Sequence, residues 1–333
     1  MNNCVIGVVF GKDKYKSFVP LYLYSINKAY PNTHFIIYHD CDVTNKYLKT
    51  IDEISNYKGG VEFRKIDFDK TELSRKALKN NLVKRALRWL ILDDSLLEYD
   101  VVYVGDIDIF VCKETADMFY EHLRHCDFIG RSYSNIVRVI TERKGVKHFC
   151  GNAIRFGARN ALKNYIFPKK NWKALSGLHC FIPKEYIPIV LNSKKYIIDE
   201  INKAFEWKSD IWNPCIINDE SILYEFIDNA GIGLDYIDPT KRGGVKLMEN
   251  TNPESSYYRP HHGLHLHIFE RAKPIDRELA DSATYLAYFS YFEDLCKSNI
   301  ELSEFIKTKN DWYCVKLLNN MCKYYRSEII SAK

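Results

Sequence analysis

No run of about 18 consecutive apolar residues occurs in the 333-residue chain, so no segment reads as a membrane-spanning helix. The opening stretch MNNCVIGVVFGKDKYK lacks a basic region followed by a long apolar one, so no secretory signal is expected. Ten cysteines are present, yet none forms a C-x-x-C pair or a Cys/His knuckle. That scatter argues against a disulfide framework and a zinc module, and for buried free thiols in a reducing compartment. Internal repeats and low-complexity linkers are missing too. The net charge of +5 is too small to argue for nucleic acid. The expected setting is the cytoplasm. Lys307, Lys309, Lys316, Lys323, Arg326 and Lys333 stand against Asp311 and Glu328 near the C-terminus. At most, these basic helices would support peripheral contact with the inner face of a membrane.

What is present is an ordinary globular composition, 46% apolar and 27% charged, enough for a full core. Aromatics are abundant, with 24 Tyr and 18 Phe. Such rings serve cores first, and their flat faces also stack on sugars and nucleobases.

The first half alternates strand and helix signals. Val5–Phe10 reads as a buried strand closed by Gly11, Phe18–Ala29 as a helix ending before Pro31, and His34–Tyr38 and Val61–Ile66 as strands. Leu73–Leu97 is helix-rich, and YDVVYVGDIDIFV gives a strand, an acidic turn and a second strand. This rhythm predicts an α/β fold, with a mostly parallel sheet covered by helices and ligands at the carboxyl ends of the strands. Later, Phe149–Phe156, Leu178–Ile182, Leu234–Ile237 and Leu264–Phe269 read as strands. Tyr186–Trp207, Ser221–Asn229 and most of the chain from Asp276 read as helix. One catalytic domain over 1–274 and a helical extension over 275–333 are expected.

The most informative triplet is Asp106-Ile107-Asp108. Its neighbours Val104 and Ile109 are apolar, so both carboxylates leave the end of a buried strand. In extended backbone they would share one face. Two carboxylates so placed repel unless a cation lies near. Mg²⁺ and Mn²⁺ take such oxygen ligands together with phosphate oxygens, which suits a diphosphate leaving group.

The stretch RWLILDDSLLEYDVVYVGDIDIFV resembles the metal-binding region of GT-A glycosyltransferases, in which a D-x-D follows a helix bearing a basic residue. The likeness extends over most of residues 4–274. It implies that Asp108 ligates the metal and that Asp106 shares in metal and donor binding. Arg88, with Lys84 and Arg85 as alternatives, would face the donor phosphates or sugar. The strand VIGVVFG resembles the first GT-A strand, so Val9, Phe10 and Gly11 would floor the nucleobase pocket, with Tyr15 a stacking partner. Four histidines crowd into RPHHGLHLHIFERAKPI: His261, His262, His265 and His267. Imidazole is a good ligand for transition ions. In the glycogenin-like retaining branch a late H-x-x-G-x-x-K-P-W supplies a metal ligand and a diphosphate-binding lysine. His267, Lys273 and Pro274 stand at those offsets, while Glu270 replaces the glycine and Ile275 the tryptophan. His265 is the rival ligand, two residues away.

In NPCIINDESILYEF, Asp219 and Glu220 open a helix. The helix dipole alone would favour carboxylates there. By resemblance one of them, Asp219 ahead of Glu220, takes the acceptor proton or positions a sugar. Gly177, in ALSGLHCFI, would let the backbone approach the donor closely. Residues 131–148 read as a basic solvated loop, with a flap over the donor diphosphate as the alternative. The implied activity is metal-dependent transfer from a nucleoside-diphosphate sugar, with UDP the expected nucleotide. The acceptor would be a glycan or glycolipid, as in surface-polysaccharide synthesis. Two rivals are a sugar-nucleotide pyrophosphorylase, whose G-x-G-T-R loop is missing here, and a non-catalytic carbohydrate-binding protein.

Overall fold

The computed structural model of the chain describes residues 1–11, 13–40, 47, 49–51, 59–135, 137–141, 146–166, 171–234, 262–271 and 273–331. Short apolar runs make the centre. β1 (Asn3–Val9) is followed by a buried helix α1 (Phe18–Ala29), then β2 (His34–His39) and β3 (Val61–Lys65). Helix α2 (Asn81–Leu90) leads to β4 (Val101–Val104) and β5 (Ile109–Val111). The next elements are α3 (Met118–Ile129), β6 (Tyr133–Ser134) and β7 (Val137–Thr141). A helical hairpin follows, α4 (Val146–Phe156) with α5 (Ala158–Ile166), before β8 (Asn171–Leu175) and β9 (His179–Phe181). Helices α6 (Pro183–Phe205) and α7 (Asp219–Ala230) precede the short β10 (Gly263–His265). The chain closes with α8 (Ala283–Ser298), α9 (Ile300–Thr308) and α10 (Tyr313–Ser331).

The main sheet has the order β3-β2-β1-β4-β9-β6. Its first four strands are parallel, β9 runs antiparallel to β4, and β6, antiparallel to β9, resumes the direction of the first four. Side chains alternate across it. Val5, Phe35, Ile37 and Tyr103 enter one buried cluster, which α1 and the C-terminal helices complete through Tyr285, Phe292, Leu318 and Tyr325. Ile6, Ile36, Val102 and Val104 enter the other, beneath α2, α6 and α7. A parallel sheet buried on both faces needs continuous apolar strands, and the sequence supplies them. The fold is thus α/β, a mixed and mostly parallel sheet flanked by helices with a helical C-terminal region. No helix among the described residues is long and apolar enough to cross a membrane.

Three expectations change. Phe149–Phe156 is helical, not extended. Its Phe149, Ala153 and Phe156 recur at helical spacing, and the hairpin with α5 uses that period rather than local strand propensity. The strand expected over Leu264–Phe269 ends at His265, and Leu266–Phe269 is one 3₁₀ turn. Its partner β5 has three residues, so pairing stops at His265 opposite Ile109. The basic loop 131–148 instead contains β6, β7 and the start of α4, with 142–145 outside the described residues. His261 and the part of the expected strand from 235 to 237 also lie outside them.

A buried polar chain lies between α3 and the sheet. His122 Nδ1 and His125 Nδ1 lie 2.7 and 2.8 Å from Ser134 Oγ. His122 Nε2 lies 2.8 Å from His262 Nε2, and His262 Nδ1 lies 3.1 Å from Glu114 Oε2. Asn135 Nδ2 donates to His179 Nδ1 at 3.0 Å. Burial holds His122 well below its ordinary pKa of 6.5, His125 at about 4 and His179 at about 3. These folded values lie below the unfolded one, so the unfolded chain takes up protons first as pH falls. Stability is intact above about pH 6.5 and falls between about 6.5 and 4, each histidine contributing about 1.4 kcal/mol per pH unit. Urea midpoints measured from pH 7 to pH 4.5 should show that slope; a flat profile would mean the histidines are charged in the fold.

Candidate active site

Six chain segments meet at the carboxyl ends of the parallel strands. β1 ends at Val9, and the turn after it is pinned where Gly11 N donates to both Asp40 carboxylate oxygens at 2.9 and 3.0 Å. β4 ends at Val104, and Gly105 N continues its ladder by donating to Ile6 O at 3.1 Å. The next residues turn rather than extend, with Ile107 buried beneath them. Asp106 and Asp108 therefore do not share a strand face as the alternation rule expects. The turn brings them together by another route.

β10 completes the group. Leu266 N donates to Asp108 O at 2.9 Å, and His265 N to Tyr285 Oη at 3.3 Å, which fixes the strand's end beside the acidic turn. Gly263 permits that seating, since a Cβ there would lie 2.1 Å from Phe110 O. One carboxylate oxygen each from Asp106 and Asp108 and one imidazole nitrogen of His265 lie within 4.8 Å of one another. His265 Nε2 is 3.3 Å from Asp108 Oδ2. His267 sits in the 3₁₀ turn, its Nε2 3.6 Å from Glu270 Oε2. The two imidazole rings are 6.5 Å apart. Burial opposes charge on both members of the Asp108–His265 pair. Mutual attraction outweighs it, lowering Asp108 to about 2 and raising His265 to about 9.

Arg88 is the second centre. It is buried, from the last turn of α2. Nη1 donates to Asp106 Oδ1 at 2.7 Å and to Gly177 O at 3.2 Å, and Nη2 donates to Asp219. Burial disfavours its charge, yet Asp106 and Asp219 together lift its pKa above the ordinary value. A Cβ on Gly177 would stand 3.2 Å from Arg88 Nη2, so glycine keeps that backbone close to the guanidinium. Asp219 opens α7 behind an Asn218–Ser221 capping box, and its carbonyl accepts from Trp89 Nε1 at 3.1 Å. Arg88 thus ties α2 to the acidic turn and to α7 at once.

These groups line one cleft of about 660 Å³. Of the residues expected from sequence, it gathers Val9, Phe10, Gly11, Tyr15, Arg88, Asp106, Asp108, Gly177, Asp219, Glu220, His265 and His267. Lys273 is exposed and is not among the lining residues. The cleft also takes in Lys14 and Asn81, which sequence reasoning missed. Asn81, Lys84 and Arg88 recur three and four residues apart on α2, a spacing that places them on one helix face. Lys14 Nζ sits over the rings of Tyr15 and Tyr313, 4.9 and 4.6 Å from their centroids. Local sequence gave no sign of that contact.

No protein-family model matches the chain, and no curated protein sequence does. Among solved structures it is similar to core-mannan synthase A of Aspergillus fumigatus in its Mn/GDP form, at 9% identity and TM-score 0.43 over 68% of this chain and 69% of that one. It is similar to the mannosyltransferase Ktr4p of S. cerevisiae in complex with GDP, at 11% identity and TM-score 0.41 over 68% and 66%. It is also similar to the galactosyltransferase LgtC in complex with donor and acceptor sugar analogs, at 14% identity and TM-score 0.37 over 78% and 84%. At TM-scores this low, the reading of the cleft rests on its own residues.

Proposed function

We propose that this chain is a metal-dependent glycosyltransferase of the GT-A type. Its donor is a nucleoside-diphosphate sugar, with UDP as the nucleotide, and its acceptor a glycan or glycolipid. The observation that carries the reading is the meeting of Asp106, Asp108 and His265 with the Arg88–Asp219 pair in one cleft at the strand ends. Two carboxylate oxygens with one imidazole nitrogen fit a divalent cation, and the nitrogen favours Mn²⁺ over Mg²⁺. Such a cation neutralises charge on a departing diphosphate.

The chain's own residues do the rest. Val9, Phe10 and Gly11 floor the base pocket, and Tyr15 offers it a ring edge or face. Arg88, locked between two carboxylates, holds the donor sugar in a fixed orientation. Preorganised charge of this kind needs no rearrangement at the moment of reaction. Asp219 and Glu220, at the start of α7, serve the acceptor side by accepting a hydroxyl proton or placing the sugar. The proposed setting is the cytoplasm, in surface-polysaccharide synthesis.

The test is thermal shift with a panel of nucleotide sugars, with and without Mn²⁺, followed by acceptor-free hydrolysis of the best binder. One donor should stabilise the protein only with metal, by about 2.7 kcal/mol at 100 times its Kd. If no nucleotide sugar shifts the midpoint, the chain is better read as a carbohydrate-binding protein.

A further inference from the structure

The α4–α5 hairpin carries two features that the cleft does not explain. Ile154, Leu162, Tyr165 and Ile166 are 86, 49, 60 and 56% exposed. They are four of the twelve exposed large apolar side chains among the described residues, gathered within thirteen positions. The sequence around them is strongly basic. Residues 142–173 contain nine lysines and arginines against Glu142 alone, a net of +8 in a chain of net +5. The remaining residues are therefore net acidic, so the excess of basic residues falls within this stretch of the sequence.

Among its described residues, α5 docks through Ala161, Lys163 and Asn164. Ala161 and Asn164 are buried, Asn164 Oδ1 accepting from Asn213 Nδ2 at 3.1 Å. Lys163 lies over the Trp207 ring at 4.6 Å. At about 100° per residue, Leu162, Tyr165 and Ile166 fall within one arc of about 100°, turned about 120° from the Ala161–Asn164 side, with Arg159 at its edge. Such a stripe of aliphatic side chains with a tyrosine and flanking cations matches an interfacial helix. A hydrated polyanion would engage the cations and leave Ile154, Leu162 and Ile166 in water, whereas a lipid surface takes both.

The geometry points to the α4–α5 hairpin as a docking surface for an anionic phospholipid membrane. The C-terminal helices offer charge alone to a membrane, because α10 turns Cys314, Val315, Leu318, Met321 and Tyr325 into the core. The hairpin is carried by the antiparallel β7–β8 ribbon, whose five paired positions span about 17 Å. That ribbon runs directly into Ser176 and Gly177 beside Arg88. A membrane held at the hairpin is thus mechanically linked to one wall of the cleft. The surface does not depend on the donor reading, since it needs neither metal nor nucleotide.

The test is flotation of the full chain with vesicles of phosphatidylcholine alone and of phosphatidylcholine mixed with phosphatidylglycerol. The wild type should bind the mixed vesicles, more weakly as salt rises. The triple variant Ile154→Ser, Leu162→Ser, Ile166→Ser should bind at least about tenfold more weakly with a urea midpoint little changed, because none of these side chains belongs to either buried cluster. Arg159→Glu should weaken binding less, and Lys316→Glu with Lys323→Glu should leave it unchanged. Undiminished flotation of the triple variant would overturn the proposal. So would loss of binding only in the α10 variant, no vesicle binding by the wild type, or capture by heparin that the triple variant retains in place of lipid.

Discussion

Arg88→Ala should destabilise the protein by about 3–5 kcal/mol and abolish transfer. The Arg88 and Asp219 side chains are 8 and 11% exposed, so this ion pair is largely shielded from water. Removing the guanidinium leaves the shielded Asp219 carboxylate, 11% exposed, beside the half-buried Asp106 without the cation they share. The cost comes mostly from those stranded carboxylates, not from the lost attraction. Two further variants separate charge from geometry. Arg88→Lys restores the charge but not the fork that reaches Asp106, Asp219 and Gly177 O together. It should recover part of the stability and little of the activity. The double variant Arg88→Met with Asp219→Leu removes both buried charges, and should regain most of the stability while remaining inactive. Urea unfolding and initial transfer rates measure both. A single Arg88→Ala cost below about 1 kcal/mol would mean that water already reaches the pair.

The second large effect belongs to the metal group. Asp108→Ala should lower the metal-dependent transfer rate on the order of 10³-fold, with Mn²⁺ binding by calorimetry weakened in parallel. The fold should survive, because the backbone that seats the turn is held by Leu266 N on Asp108 O, not by the side chain. His265→Ala should resemble it, and the double variant should be no worse than either single one, since all three residues hold one ion. His267→Ala tests the alternative ligand. With its ring turned toward Glu270, it should cost far less than His265→Ala. The reverse order of severity would make His267 the ligand and require the 3₁₀ turn to rearrange on metal binding.

Part of this arrangement is legible in the amino-acid order. Strands buried on both faces must be apolar at every position, so β1, β2 and β4 announce themselves. The acidic turn is visible because two carboxylates between apolar residues at a strand end are out of place in a core. The long C-terminal helices follow from periodicity alone. The α4 segment is ambiguous in the amino-acid order because Phe149, Cys150, Ile154 and Phe156 suit a strand as well as a helix, and only docking against α5 decides.

By itself, then, the sequence determined the layered α/β class, the position of the strand ends and the carboxylates that gather there. The tertiary structure decided which distant groups meet them. Asp219 stands 131 positions from Arg88 and pairs with it because α7 packs on α2. His265 rather than His267 faces Asp108 because β5 offers β10 only three partners, so the strand ends two residues short of His267, which lies in the 3₁₀ turn instead. The apolar outer face of the α4–α5 hairpin is likewise invisible in composition, since exposure is settled by which side of a helix finds a neighbour. Local pattern fixes the strongly periodic and the continuously apolar segments; which groups meet depends on contacts closed across a hundred residues or more, and no short-range signal encodes those.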